Sequence, residues 1–108
     1  MNKIKIKPLS INEAFQWKRY KTDKYKTFEQ ELYYSLPQID IPEWKLKVSY
    51  IFWLSSKNAD YDNPIKTCQD VLQKKYNFND SRIYKGIIEK VDVKKWQEFI
   101  EFKILPFD

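Results

Sequence analysis

Apolar and polar residues alternate most regularly across residues 44–54. Successive side chains of a β-strand point to opposite faces of its sheet, so this two-residue period predicts a strand with one buried face. The apolar positions of that face are Trp44, Leu46, Val48, Tyr50 and Phe52. Ile51 and Trp53 interrupt the polar face, as expected where the far end of a strand is covered on both sides.

Three further segments have the pattern of strands. Residues 3–7 alternate lysine with isoleucine and end at Pro8, which has no N–H to donate to a sheet. Residues 83–93 and 99–105 predict two more strands, joined by a turn at residues 94–96.

Two segments instead repeat apolar residues with helical spacing. The first is predicted to begin at Thr22 or Asp23, either of which can serve as an N-cap. The second is predicted to have Asn63 as its N-cap and Pro64 at its first position. The apolar faces are Tyr25, Phe28, Leu32 and Leu36 in the first helix, and Ile65, Cys68, Val71 and Leu72 in the second.

The elements therefore follow the order β-loop-α-β-loop-α-β-β. This order predicts one α+β domain over residues 1–108, with a mixed β-sheet and two main helices packed on it. A chain of 108 residues fits one ordinary domain.

The charge balance indicates an anionic partner. The chain has 20 Lys and Arg against 15 Asp and Glu, which gives a formal charge of +5. Basic domains bind nucleic acid by releasing counterions from its phosphates. The indication is modest, because abundant Lys, Asn, Ile and Tyr also accompany an AT-rich genome.

Missing residue types exclude several classes of site. The chain has no His, so catalytic triads, His-dependent nucleases and His-ligated zinc sites are excluded. Cys68 is the only cysteine and Gly86 the only glycine, which excludes an intrachain disulfide, a cysteine zinc site and a glycine-rich phosphate loop. Without a signal-peptide pattern or an apolar run of about 20 residues, the sequence predicts a soluble cytoplasmic protein.

Three aspartates are candidate metal ligands. Asp60 and Asp62 are two residues apart, so in an extended segment both carboxylates point to one side. Asp80 follows the second helix and precedes the next strand, and we expect it at the same sheet edge. Such a site suits Mg²⁺, with Mn²⁺ as the alternative, because hard cations prefer oxygen ligands. Lys66, in the first helical turn, is placed to hold a phosphate or to offset transition-state charge.

The competing interpretation of these acids is that they are solvated surface residues, since Asp-x-Asp alone is a common sequence. Asp70 is a poorer ligand candidate, because the helix carries it about 12 Å along its axis from Asp62. A surface or intersubunit salt bridge is the expected role of Asp70.

At these residues the sequence resembles the RusA family of Holliday junction resolvases. The similar segments are Asp60-Tyr61-Asp62-Asn63-Pro64-Ile65-Lys66, Asp70-Val71-Leu72 and Asn79-Asp80-Ser81-Arg82-Ile83. Pro8-Leu9-Ser10-Ile11-Asn12 is similar to the family's N-terminal Pro-x-Ser-x-Asn signature. The similarity extends from about Ile6 to Ile104.

The resemblance implies a homodimeric, Mg²⁺-dependent endonuclease that resolves four-way DNA junctions by paired nicks in recombination and repair. It implies that Asp60, Asp62 and Asp80 bind the metal and that Lys66 takes part in catalysis. A bacterial or phage origin fits this family.

The sequence departs from the family pattern at two places. The family's paired acids before the last strands stand here as Asn79-Asp80, which leaves one acid replaced by an uncharged amide. The glycine usual before that turn is absent, and Asn77 is the residue nearby that adopts positive φ most readily.

The basic segment around residues 18–26 is the candidate DNA surface, within and after a predicted loop at residues 8–20. Lys18, Arg19 and Lys21 are expected to contact phosphates, while Trp17 or Tyr20 stacks on unpaired bases. The alternative is a solvated loop. For Tyr25 a core position is preferred, and Cys68 is expected to be an inert core residue.

Two other functions compete with a junction endonuclease. One is a non-catalytic protein that binds branched DNA with the same fold. The other is a structural or interaction protein whose acids lie on the surface.

Overall fold

A computed structural model of the chain describes residues 1–16 and 20–108. Its strands and helices are, in chain order, β1 (Asn2–Ile4), β2 (Phe15–Gln16), β3 (Tyr20–Lys21), α1 (Asp23–Ser35), β4 (Leu46–Leu54), α2 (Ile65–Tyr76), β5 (Ile83–Asp92) and β6 (Phe99–Pro106). Short 3₁₀ turns lie at Ile11–Glu13 and Asp80–Arg82.

The main sheet has the strand order β1-β6-β4-β5. β6 runs antiparallel to both of its neighbours, whereas β4 and β5 are parallel and α2 connects them. A parallel pair needs such a crossover, because the chain must return to the edge where it started. The predicted α+β fold, with a mixed sheet and two helices, is confirmed. A separate hairpin of β2 and β3 stands where a loop was predicted.

β4 is an interior strand that pairs with β5 along its whole length and with β6 from Leu46 to Trp53. Its alternate residues Leu46, Val48, Tyr50, Phe52 and Leu54 are all buried, as the two-residue period predicts. Trp44 is an exception, since it lies before the strand with a φ of 73° and its side chain is 78% exposed. The positive φ ends the alternation, so the prediction that Trp44 shares the buried face was wrong.

The two helices bury the faces that their spacing predicts. Tyr25, Phe28, Leu32 and Leu36 are buried on the α1 side, and Cys68, Val71 and Leu72 on the α2 side, with Ile65 partly buried. Burial also raises the pKa of the Cys68 thiol to about 12, which fits its expected inert role because the thiolate is the reactive form.

The helix ends agree with the predictions in two places and differ in one. The Thr22 hydroxyl caps α1 by accepting the Tyr25 backbone N–H at 3.2 Å, and Asn77 ends α2 in the left-handed conformation with a φ of 53°. Asn63 is not the N-cap of α2, since the helix begins at Ile65 and Pro64 occupies the cap without a side-chain hydrogen bond. Backbone turns take its place: the Ile65 N–H donates to the Asp62 carbonyl at 3.2 Å.

The N-terminal segment after β1 is tied to the start of α2. The buried Thr67 hydroxyl lies 2.7 Å from the Leu9 carbonyl and 3.1 Å from the Pro64 carbonyl. The Ile11 N–H donates to the Asn63 carbonyl at 3.0 Å. These bonds place residues 8–12 against the loop that precedes α2.

Thr67→Val tests this attachment. The change keeps the side-chain shape but removes the hydroxyl, which leaves the Leu9 carbonyl without its buried donor. We expect the free energy of unfolding in urea to fall by about 1–3 kcal/mol. Thr27→Val, at an exposed helical position, is the matched control and should change it by less than about 0.5 kcal/mol. Equal effects of the two changes would contradict the attachment.

Candidate metal and DNA site

Asp60 and Asp62 lie on the loop between β4 and α2, and both side chains are exposed. The loop is held from beneath by Lys90 of β5, whose ammonium group donates to the carbonyls of Lys57 and Ala59, both at 2.8 Å. The Asn63 N–H donates to the Asp60 carbonyl at 3.3 Å. The backbone of the loop is therefore anchored, while neither carboxylate forms a salt bridge with a residue in the described ranges.

Asp80 begins the 3₁₀ turn that leads into β5. Its backbone N–H donates to the Gln73 side-chain oxygen at 3.1 Å, and its carboxylate is on an exposed residue. The neighbouring Asn79 accepts the Ser81 N–H at 2.9 Å. The amide oxygen of Asn79 therefore caps this turn, a role that Asn and Asp fill equally well.

The topology separates Asp80 from the other two acids. Because β4 and β5 are parallel, both strands start at one end of the sheet, where Leu46 pairs with Ile83. Both finish at the opposite end, where Leu54 pairs with Asp92. Asp60 and Asp62 follow the end of β4, whereas Asp80 precedes the start of β5. The intervening α2 has 12 residues, which corresponds to about 18 Å of helix.

The expectation that the three carboxylates converge at one edge of a single chain is thus wrong. Within residues 1–16 and 20–108, no group of three or more Asp, Glu, Cys or His side chains could hold one ion. The physical reason is the direction of β5: a helical crossover carries the chain back to the starting edge before the next parallel strand begins. Asp60 and Asp62, both exposed on one loop, remain the candidate ligands within a single chain.

Lys66 points along α2 toward Asp70. Its ammonium group lies 3.1 Å from an Asp70 carboxylate oxygen, and the lysine side chain is 60% exposed. Exposed pairs of this kind contribute only about 0–1 kcal/mol, so Asp70 would not hold Lys66 strongly against a competing anion. The prediction of a phosphate contact at Lys66 stays open, and the salt bridge expected for Asp70 forms within the chain.

Asp70 also joins the two helices. The Tyr25 hydroxyl of α1 donates to it at 3.2 Å, and the Gln73 amide approaches it at 3.4 Å. Burial raises the pKa of Tyr25 well above 10, and the carboxylates of Asp70 and Glu29 raise it further. Tyr25 is buried as expected, but its contact with Asp70, 45 residues away, has no signal in the sequence.

The structure describes only part of the predicted DNA-binding segment. Lys18 and Arg19, with Trp17, lie outside the described residues. Lys21 is bound within the chain, since its ammonium group lies 3.0 Å from Glu29, which also accepts from Lys74 at 3.1 Å. The hydrogen bond with Glu29 raises the pKa of Lys74 despite its partial burial. Lys21 is thus paired with an acid that the helical spacing did not single out, while Tyr20 is 67% exposed.

A cleft of about 360 Å³ lies beside the Asp60 loop, lined in part by Ser55, Asn63 and Glu98. Glu98 is a buried carboxylate that accepts the Ser55 hydroxyl at 2.9 Å. Burial raises its pKa, but hydrogen bonds from Ser55 and from backbone N–H groups outweigh that effect, and its pKa falls below the usual range. Glu98 therefore stays ionised and fixes the beginning of the loop, a role that sequence reasoning missed.

Comparison with known proteins finds no family model and no curated protein that matches the chain. The resemblance to RusA resolvases therefore depends on the residues quoted for it. In the part of the chain that the structure describes, no helix has both the length and the apolar character needed to cross a membrane.

The tyrosines predict a loss of stability at alkaline pH. Burial raises the pKa of Tyr76 to about 12, and the pKa values of Tyr25 and Tyr50 are raised as well. Unfolded phenols ionise near pH 10, so the folded state has the greater proton affinity. The stabilisation that this affinity gives to the folded state is complete below about pH 10. It is lost as the pH rises toward the pKa values of these tyrosines in the folded state. We expect the free energy of unfolding to fall from about pH 10 to 12.

Urea unfolding of wild type and Tyr25→Phe across this pH range measures the effect. The variant should show a shallower decline, because one phenol with a raised pKa is gone. Tyr61→Phe, at a side chain that is 57% exposed, is the control and should keep the wild-type slope. Identical slopes in all three proteins would contradict the assignment to Tyr25.

Proposed function

We propose that this protein is a Mg²⁺-dependent, structure-selective DNA endonuclease that resolves four-way junctions by paired nicks. One observation carries the proposal. Two separate parts of the RusA-like pattern, residues 8–12 and 60–66, lie side by side. The Ile11 N–H donates to the Asn63 carbonyl, and the Leu9 carbonyl accepts the hydroxyl of Thr67, the residue that follows the second part. This contact joins the N-terminal part of the pattern to the loop with Asp60 and Asp62, as a common site would require.

The residues of the loop fit a hard cation. Asp60 and Asp62 offer exposed carboxylate oxygens on a backbone that Lys90 holds in place, and oxygen ligands are those that Mg²⁺ and Mn²⁺ take. A bound ion would supply an activated water and stabilise charge at the phosphodiester. Lys66 would bind a phosphate oxygen when it leaves Asp70.

In this proposal, Asp80 of a second copy of the chain completes the metal site. Within one chain it lies at the opposite edge of the sheet, so it cannot share an ion with Asp60 and Asp62 of the same copy. A two-fold dimer places equivalent sites symmetrically, and a four-way junction presents two equivalent strands. A site completed by Asp80 of the other subunit would make cleavage depend on the dimer.

DNA binding in the proposal depends on the overall positive charge. The chain carries +5 at neutral pH, and phosphate contacts make binding weaken steeply with added salt. Lys21 and Lys66 are both paired with acids in the structure. Their contribution would therefore require exchange of an internal partner for a phosphate, while Lys18 and Arg19 remain predicted contacts.

A second candidate is a non-catalytic protein that binds branched DNA. The separation of Asp80 from Asp60 and Asp62 favours it, since a single chain then lacks a complete set of three acids. The two candidates differ in one outcome, namely cleavage of a junction in the presence of Mg²⁺.

Asp62→Asn tests the metal site. We expect it to lower the rate of Mg²⁺-dependent cleavage of a labelled four-way junction by at least about 100-fold, the scale for loss of a major electrostatic contribution. Junction binding should be retained or tightened, because one negative charge near the phosphates is gone. Asp40→Asn, another exposed acid in the connector before β4, is the matched control and should cut at the wild-type rate.

The same experiment separates the candidates. Binding of the junction by wild type without any cut would establish the non-catalytic protein. Equal cleavage by wild type and Asp62→Asn would remove this loop from the mechanism.

Mixed dimers test the origin of Asp80. We expect Asp62→Asn and Asp80→Asn to be inactive separately, whereas their co-expression yields dimers with one intact site, formed by the unmutated residues of both chains. Those dimers should nick one strand of the junction. A mixture as inactive as its two components would show that each site lies within one chain.

A further inference from the structure

β5 is one of the two edge strands of the main sheet. Among the residues that the structure describes, it pairs only with β4, so no described strand lies along the opposite side of its 10 residues. The pairing with β4 is continuous from Lys47 to Leu54 and shifts register only between Leu46 and Lys47. A long, regular edge strand offers a row of unpaired N–H and C=O groups on which another strand can pair.

Gly86, the only glycine in the chain, lies in the middle of this edge strand. Its φ is not positive, and a Cβ added there would meet no atom within 4 Å. Nothing within the described chain therefore requires a glycine, although glycine in a strand costs about 0.5–1 kcal/mol relative to alanine. A glycine in a strand interior often marks the close approach of another backbone.

The side chains of β5 are arranged symmetrically around Ile87. Lys85 and Glu89 lie two positions before and after it, and both are exposed. Neither forms a salt bridge with a residue in the described ranges, and the neighbour of Lys85 on β4 is Lys47, a like charge. Ile87 itself is 45% exposed.

We propose that a second copy of this chain pairs antiparallel along β5, with the two-fold axis at Ile87. The pairing places Lys85 opposite Glu89 of the second copy, and symmetry repeats this ion pair. Ile87 meets its own equivalent, and Gly86 lies opposite Ile88. The two main sheets become one continuous sheet, and neither copy keeps a free β5 edge.

The register follows from the charges. Residues directly opposite each other in antiparallel strands have their side chains on the same face of the sheet. A two-fold axis perpendicular to the sheet keeps each residue on its own face. The residue nearest the axis must therefore lie opposite its own equivalent in the second copy. An axis at Ile88 would put Glu89 opposite Ile87, and an axis at Gly86 would put it opposite Ile83. Of these three axes, only the one at Ile87 places Lys85 opposite Glu89. Because this pattern of charges is complementary to itself, the partner that it fits is an identical chain.

The pairing has a consequence for Asp80 that rests on the proposed function. Antiparallel strands bring the start of β5 in one copy beside the end of β5 in the other, with Ile83 opposite Val91. The second copy's Asp80 then lies at the end of the strands from which the loop with Asp60 and Asp62 extends. The dimer would thereby bring together the acids that one chain keeps apart.

Charge exchange at the axis tests the interface. Lys85→Glu creates two like-charge contacts in the dimer, and we expect its dissociation constant, measured by sedimentation, to rise at least about tenfold. Glu89→Lys should act alike, and the double exchange should restore association. Lys103→Glu, the same charge change at an exposed position of β6, is the control and should leave association unchanged.

Cysteine cross-linking tests the register. Paired Cα atoms in antiparallel strands lie about 4.5–5.5 Å apart, inside the roughly 4.4–6.8 Å that a disulfide spans. Ile87→Cys should therefore form a covalent dimer under mild oxidation. Lys85→Cys alone should not, but combined with Glu89→Cys it should. The native Cys68 is buried. The wild-type protein, which has no other cysteine, is therefore the control for this experiment.

A monomer at all concentrations, equal weakening by Lys85→Glu and Lys103→Glu, or failure of Ile87→Cys to cross-link would overturn the interface. Junction cleavage is scored separately on the same proteins. A dimer of this register that does not cut DNA supports the interface and overturns the proposed function. Cleavage that survives in a monomeric Lys85→Glu protein overturns the shared site.

Discussion

The parallel pairing of β4 with β5 is the constraint on which the rest of this structure depends. It requires a helical crossover, and α2 supplies it. Because of this crossover, the loop after β4 and the turn before β5 lie at opposite ends of the strands. β6 pairs on the other side of β4, which leaves β5 outermost among the described strands of the sheet.

Much of the fold could be predicted from the sequence because the relevant signals are local. The alternation in β4 and the apolar faces of α1 and α2 depend only on spacing, and all three are confirmed. The cap at Thr22 and the left-handed Asn77 also follow from the chemistry of single residues. The hairpin of β2 and β3 was missed, since its strands are two residues each and too short to show a period.

The site was harder to predict, because it depends on strand direction. Spacing put Asp60 and Asp62 on one loop, but it could not show whether the strand after α2 runs with β4 or against it. An antiparallel strand would have brought Asp80 toward the other acids, whereas the parallel one takes it away. The Glu29 partner of Lys21 was likewise invisible, because it lies on α1, outside the strand that carries Lys21. The Lys66–Asp70 pair instead has the i, i+4 spacing of one helix, which the sequence does display.

In the proposed dimer, the free side of β5 would associate the two copies of the chain. Its antiparallel pairing would bring Asp80 of one copy to the end of the strands where the other copy carries Asp60 and Asp62, and a junction would be cut there. The most direct test is to map the cuts that wild-type protein makes in a four-way junction labelled on each strand, with and without Mg²⁺. The account predicts nicks at symmetrically related positions in two opposing strands, only when Mg²⁺ is present. Junctions that remain intact with Mg²⁺, or cuts that do not need it, would contradict the account.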